Sequence, residues 1–193
     1  MTKYILIWGH ISKAPDGGKS FCEEMIKGIK NKPIKILDCM FASPEDSWSE
    51  DIKKSHKFFS QHLNDFELEL ADISSFTEQV RHSDIIFLRW WYVSSLLEIL
   101  TKNKTRTKEL DGKVLLGTSA GADVIAKYYY VLKTLRTGDG LWLLPIKFIP
   151  HWKTKVFDGV EQNIDFDKAL KEIKNYKEDL PIITLKEWEF IVF

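Results

Sequence analysis

The sequence predicts an α/β fold in which helices pack on a mostly parallel β-sheet. Short apolar runs alternate with amphipathic segments along the chain, and this alternation is typical of a sheet whose strands are joined by helices. The chain has 193 residues, of which 44% are hydrophobic, and a chain of this size can bury one substantial core. We therefore expect a single domain over residues 1–193.

The first half of the chain gives the clearest alternation. Apolar runs predict strands at residues 4–8, 34–40, 66–70 and 84–88. Between them, helical periodicity predicts helices at residues 20–29, 48–63 and 75–80. The first of these helices has Ser20 as a cap with Glu23 three positions later, and Pro33 separates it from the next strand.

The second half continues the pattern and then changes. We expect a helix at 94–100, a strand at 113–116 and a helix at 122–132. Gly138, Gly140 and Pro145 mark a loop-rich stretch before a strand at 146–149. A helix at 167–175 precedes two short strands, 182–185 and 190–192, that are expected to form a closing hairpin.

The charge balance argues against two classes of partner. Lys plus Arg and Asp plus Glu both number 28, so no net field attracts nucleic acid. No apolar stretch approaches the length of a membrane span or a secretory signal, and we expect a soluble, cytoplasmic protein. Cys22 and Cys39 lack metal-site spacing, so we expect buried thiols and neither a metal nor a cofactor.

The most informative motif is Gly-Thr-Ser-Ala-Gly at residues 117–121. It joins a predicted strand directly to a predicted helix, as a nucleophile elbow does, where the serine is held in a strained turn at the carboxyl end of the strand. Ser119 is therefore a candidate nucleophile.

A serine nucleophile needs a base, which is normally histidine. His151 ends a predicted strand and is the one histidine after the elbow. Because the carboxyl ends of parallel strands converge on one crevice, His151 is the leading candidate, and His10, which also follows a strand, is the alternative. Asp139 and Glu187 are the candidate acids, and Asp123 is expected to interact with the helix dipole.

One apparent motif is set aside. Gly17-Gly18-Lys19-Ser20 suggests a phosphate-binding loop, but the pattern requires glycine at position 13, where this chain has Lys13.

Four segments together resemble the dipeptidase E family, which consists of serine peptidases with a class I glutamine amidotransferase-like fold and has cyanophycinase as a relative. They are the elbow at 117–122, Lys-Tyr-Tyr-Tyr at 127–130, Gly-Leu-Trp-Leu-Leu-Pro at 140–145 and Ile-Pro-His at 149–151. The resemblance runs almost end to end. It implies a Rossmann-like three-layer sandwich in which Ser119 attacks a peptide carbonyl, His151 is the general base and the Ala120 N–H stabilises the oxyanion.

The sequence departs from the family's pattern at two places. The family has a Gly-Gly-Gly-Asn-Thr type segment that supplies a second oxyanion donor, whereas this chain has Arg89-Trp90-Trp91-Tyr92-Val93. Trp90 takes the donor's place, and Arg89, Trp91 and Tyr92 become candidates for substrate contacts. The arginine-containing segment that gives family members their aspartyl preference also has no match after His151.

These residues leave three hypotheses. The leading one is a serine peptidase that acts on dipeptides or short peptides, as a monomer or a homodimer. The first alternative is a catalytically impaired family member that binds a ligand or a protein through the aromatic segment 89–92. The second alternative is a small esterase, which shares the elbow and the order Ser119, Asp139, His151.

Overall fold

In the computed structural model, helices cover both faces of a central sheet, and a smaller sheet packs beyond one of the helical layers. The structure describes residues 1–89, 92–102, 107–154, 156–157, 160–161 and 164–193. The strands are β1 (Lys3–Ile7), β2 (Ile34–Cys39), β3 (Phe66–Leu70), β4 (Ile85–Leu88), β5 (Val114–Thr118), β6 (Ala126–Val131), β7 (Arg136–Asp139), β8 (Leu144–Ile149), β9 (Val156–Phe157), β10 (Val160–Glu161), β11 (Ile182–Thr184) and β12 (Phe190–Val192). The α-helices are α1 (Lys19–Ile26), α2 (Trp48–Ser60), α3 (Phe76–His82), α4 (Val93–Lys102), α5 (Ala120–Ile125) and α6 (Phe166–Lys174).

The central sheet has the strand order β12-β1-β5-β4-β2-β3, and every neighbouring pair is parallel except β12 with β1. Its interior strands β4 and β5 are apolar on both faces because both faces are covered. In β1, likewise, Ile5 and Ile7 pack towards α1 and α2, while Leu6 packs towards α3, α4 and α5. The predicted α/β fold with a mostly parallel sheet is confirmed.

The smaller sheet has the order β11-β8-β6-β7. One face joins the core beneath α5 through Leu144, Ile146 and Phe148, and the other is covered by α6, where Tyr130 and Ile149 meet Ala169 and Ile173. Strands β9 and β10 pair with each other. The sequence predicted only one sheet, so this second layer is an addition to the expected architecture.

The predicted helix at 122–132 is wrong beyond its first turn. Helix α5 ends at Ile125, and residues 126–131 form β6. Burial alternates along this strand, with Tyr128 and Tyr130 buried and Lys127 and Tyr129 partly exposed. A period of two and a run of tyrosine and valine favour a strand, because bulky side chains pack well on a pleated surface.

The predicted closing hairpin is also wrong. β11 pairs in parallel with β8 in the smaller sheet, whereas β12 pairs antiparallel with β1 at the edge of the central sheet. The segment between them therefore crosses from one sheet to the other. Both short strands had been located correctly, but their pairing depends on distant partners that local sequence does not specify.

Two glycines allow β4, β5 and α5 to meet at close range. A Cβ atom on Gly121 would lie 2.1 Å from the Leu88 carbonyl oxygen, and one on Gly117 would lie 2.5 Å from the Gly121 carbonyl oxygen. No side chain fits in either space. The glycines of the elbow are therefore required by the packing of the helix against the sheet.

Replacing Gly121 with alanine should destabilise the fold strongly. Alanine is ordinarily the better helix former, so a loss would isolate the clash with Leu88. We expect the free energy of unfolding to fall by about 3 kcal/mol, at the upper end for overpacking, in urea denaturation. The control is Gly17→Ala, which has open space around its Cβ position and a φ of +66° and should cost about 1 kcal/mol. Equal stabilities of the two variants would contradict the packing argument.

Candidate active site at the strand ends

Ser119 lies between β5 and α5 in a strained conformation. Its φ is 54° and its ψ is −118°, a backbone region that residues with a side chain rarely adopt. The side chain is partly exposed, while Thr118 and Ala120 on either side are buried. Ala120 is the first residue of α5, so its N–H has no acceptor within the helix.

His151 follows β8 and is also held in a left-handed conformation, with a φ of 59°. Its ring packs against the indole of Trp8, with ring centroids 3.3 Å apart and planes inclined by 52°. The Nδ1 atom is buried. Burial lowers the pKa of His151 to about 3, because the charged imidazolium loses its hydration.

Trp8 connects this histidine to the elbow. It follows Ile7, whose parallel partner in β5 is Thr118, so Trp8 and Ser119 leave neighbouring strands at the same level. The indole is only 6% exposed, and its Nε1–H donates a hydrogen bond to Glu187 Oε1 at 3.0 Å. Trp8 was not among the predicted site residues, although its position at the end of the first strand could have identified it.

The segment 185–189, between β11 and β12, fixes Trp8 and His151 relative to each other. The N–H of Leu185 donates to the Ile149 carbonyl, and its own carbonyl accepts from the N–H of Trp152, so the backbone on both sides of His151 is bonded to this segment. At the other end, the Trp8 carbonyl accepts from the N–H of Trp188, and the N–H of Trp8 donates to the Glu189 carbonyl. One stretch of backbone thus joins the ends of β1 and β8.

The two predicted acids have other partners. Asp139 forms an ion pair with Lys177, with a shortest separation of 2.5 Å, and accepts a hydrogen bond from Tyr176. Glu187 accepts from Trp8, and its carboxylate lies where a Cβ of Gly9 would be. Neither carboxylate is hydrogen-bonded to His151. No acidic side chain in the described ranges raises the pKa of that histidine, and Glu187 reaches it only through the indole.

Arg89 lies at the end of β4 and is buried, with 8% of its surface exposed. Its Nη1 donates to Asp38 Oδ2 at 3.0 Å and also to the hydroxyl of Ser55. Breaking such a buried pair from one side costs about 3–5 kcal/mol, so Arg89 is held in place. Burial raises the pKa of Asp38, and the charge of Arg89 opposes that change.

The other residues predicted in this segment differ in position. Tyr92 is 61% exposed, while Trp90 and Trp91 lie outside the described residues. His10, the alternative base, is exposed as a whole residue. Partial loss of hydration around its ring is the main cause that lowers its pKa, and the charge of Lys13 is the second.

Asp123 lies in the first turn of α5, yet it is 3% exposed and its Oδ1 has no hydrogen-bond partner among the described residues. Burial raises its pKa well above the ordinary value. Burial therefore favours the neutral carboxylic acid over the carboxylate that the expected interaction with the helix dipole requires.

Within the described ranges, no group of three or more His, Cys, Asp or Glu side chains is arranged to hold a metal ion. No helix in the same part of the chain is long and apolar enough to cross a membrane. Cys22 and Cys39 are free, buried thiols, as predicted.

The fold is shared with two solved structures of peptidases. One is a peptidase from an acI-B1 Actinobacterium, with a TM-score of 0.68 and 20% sequence identity over 100% of this chain and 83% of that chain. The other is a putative Peptidase E protein from Listeria monocytogenes EGD-e, with a TM-score of 0.70 and 19% identity over 100% of this chain and 94% of that chain. No protein-family model and no curated protein matches the sequence. The likeness establishes the fold, and the resemblance expected from the sequence is confirmed at that level.

His151 should remain neutral far below the ordinary histidine pKa of 6.5. We expect its ring resonances in NMR spectra not to titrate between pH 7.5 and pH 4.5, because its pKa is about 3. The folded pKa lies below the unfolded one, so this group lowers stability as the pH falls below about 6.5. His151→Asn identifies the resonances, and a titration midpoint near pH 6 would contradict the burial of the ring.

Asp123→Asn should change the pH dependence of stability. The folded pKa of Asp123 is raised above its unfolded value of 3.8, so its contribution is greatest below pH 3.8 and is lost as the pH rises towards the folded pKa. Between those values, we expect the parent chain to lose up to about 1.4 kcal/mol per pH unit relative to the variant. Urea denaturation from pH 4 to pH 8 measures the difference, and parallel curves would overturn this assignment.

Proposed function

We propose that this chain is a serine hydrolase, and specifically a peptidase of dipeptides or short peptides. The observation that carries the proposal is the strained backbone of Ser119 between a buried strand and a helix. Such strain persists only where the surrounding structure enforces it, and it is typical of a catalytic nucleophile. The fold shared with two named peptidases supports the same reaction class.

In the proposed reaction, the Ser119 hydroxyl attacks the scissile carbonyl while His151 takes its proton. The base uses Nε2, since Nδ1 is buried. The Ala120 N–H donates to the developing oxyanion. The leaving amine then receives the proton from His151. In the second step, His151 takes a proton from water, which attacks the acyl-enzyme, and the proton passes to the Ser119 oxygen as the acid product leaves.

We expect slow turnover, because burial lowers the pKa of His151 to about 3 and so disfavours its charged form. The lowered pKa of His151 keeps it neutral and able to accept a proton, but it also makes the histidine a weak base. The Trp8 and Glu187 pair supplies orientation and no charge next to the ring.

The lowered pKa of His151 favours a second candidate, a protein of this fold that binds a ligand without turning it over. A buried histidine with so low a pKa does not readily become an imidazolium, and acylation could fail altogether. A small esterase is the third candidate, since esters have a better leaving group than peptides and need less assistance.

Labelling with a fluorophosphonate probe should distinguish these candidates. We expect stoichiometric modification of Ser119, detected by mass spectrometry, loss of labelling in Ser119→Ala, and labelling slowed by about a hundredfold or more in His151→Asn. Single-step labelling is preferred to a turnover assay because it detects a slow nucleophile.

The matched control is Ser49→Ala, which removes a hydroxyl from an exposed position on α2 and should label normally. Absence of labelling in the parent chain at millimolar probe would overturn the hydrolase proposal and support the binding protein. If the parent chain is labelled, turnover of esters but not of dipeptides by the unmodified protein would support the esterase.

A further inference from the structure

A cavity of about 690 Å³ opens beside the elbow, between the carboxyl ends of the central strands and helices α1 and α2. We call it the α1–α2 pocket. Its volume lies within the range of small-molecule sites. Ile7 at the end of β1, Phe87 in β4 and Thr118 at the end of β5 form its floor.

Four phenylalanine rings form part of the pocket lining and contact one another. Phe59 packs against Phe87 with ring centroids 6.3 Å apart, and Phe58 packs against Phe59 at 5.3 Å and against Phe21 at 6.4 Å. Phe87 belongs to an interior strand of the sheet, yet it remains partly exposed because the pocket opens above it. Phe58 is also partly exposed, whereas Phe21 and Phe59 are buried behind these two rings.

The pocket shares a wall with the proposed catalytic residues. Thr118, in its floor, directly precedes Ser119. Gly9 and His10, in its side, directly follow Trp8, whose indole contacts His151. Ser119 and His151 do not line the pocket themselves, but a group bound there would lie at the same end of the sheet as a carbonyl held at Ser119.

Charges in the lining are matched by neighbouring charges. Arg89 enters the pocket but is paired with Asp38, and its guanidinium lies 5.4 Å from the centroid of the Phe87 ring. Lys54 at the rim is paired with Asp51 and Glu50. A cationic ligand would meet Arg89 at close range, and a carboxylate would have to compete with Asp38, which is fixed and buried.

We propose that the α1–α2 pocket binds a large apolar side chain, preferably aromatic, of a short peptide. The inference rests on the proposed function for the identity of the peptide as substrate, and it defines the substrate class of that same site. Aromatic walls, an apolar floor and charges that are already paired favour a neutral side chain over an acidic or basic one.

Binding to Ser119→Ala protein tests the inference without requiring turnover. The ligands are four dipeptides, Phe-Ala, Asp-Ala, Lys-Ala and Ala-Ala, together with their reversed sequences, and protein-detected NMR gives their dissociation constants. Of the two phenylalanine peptides, Phe-Ala and Ala-Phe, we expect the one that binds more tightly to have a dissociation constant at least about tenfold lower than that of Ala-Ala, as burial of one large apolar side chain predicts.

Two tryptophan variants test the location. Ser12 is an exposed residue of the pocket lining, so Ser12→Trp should fill the pocket and abolish the preference for phenylalanine. Ser49→Trp, at an exposed position of α2 outside the lining, should preserve it.

Tighter binding of an aspartate or lysine peptide, equal binding of Phe and Ala peptides, or no binding at all would overturn the inference. So would a phenylalanine preference that survives in Ser12→Trp. The probe experiment is independent of this result: unlabelled Ser119 with an intact phenylalanine preference would overturn the hydrolase and leave the pocket assignment standing.

Discussion

The contact between Gly121 and the Leu88 carbonyl is the constraint on which the site depends. Because neither Gly117 nor Gly121 has a side chain, α5 approaches β4 and β5 more closely than other residues would allow. Ser119 must then turn between strand and helix within one residue, and its positive φ is the result. Three features follow from this one close approach: the partly exposed side chain of Ser119, the start of α5 at Ala120, and the position of Thr118 in the floor of the α1–α2 pocket.

His151, the proposed base, is held by contacts that differ from those in a catalytic triad. An acid beside a histidine both orients the ring and stabilises its charge. In this chain, Trp8 contacts the ring, while Glu187 fixes Trp8 through a hydrogen bond. Burial of the ring in this arrangement disfavours the charged imidazolium, so the histidine is weakly basic.

Much of the central sheet and the elbow could be predicted from sequence because their signals are local. Five consecutive residues specify the turn at Ser119, and continuous apolar runs specify strands buried on both faces. The pairing of β11 and β12 with different sheets could not be predicted, since it depends on contacts with β8 and β1 far away in sequence. The strand at residues 126–131 differs from the predicted helix because it follows directly after the six residues of α5, without a turn signal in the sequence between them. The partners of the two candidate acids could not be predicted for a related reason. Asp139 pairs with Lys177 and Glu187 accepts from Trp8, and both contacts depend on packing that the sequence does not show.

The bridge formed by residues 185–189 has a consequence for the order in which the molecule is assembled during synthesis. Ser119 and its strained turn depend on β4, β5 and α5, all of which precede residue 126. Trp8 and His151, by contrast, are tied together by backbone bonds to residues 185–189. A nascent chain that has emerged only to residue 170 therefore contains Ser119, His151 and the α1–α2 pocket, yet lacks the segment that joins His151 to the first strand. The arrangement of Trp8 and His151 becomes complete late in translation, through contacts between residues almost the whole chain apart.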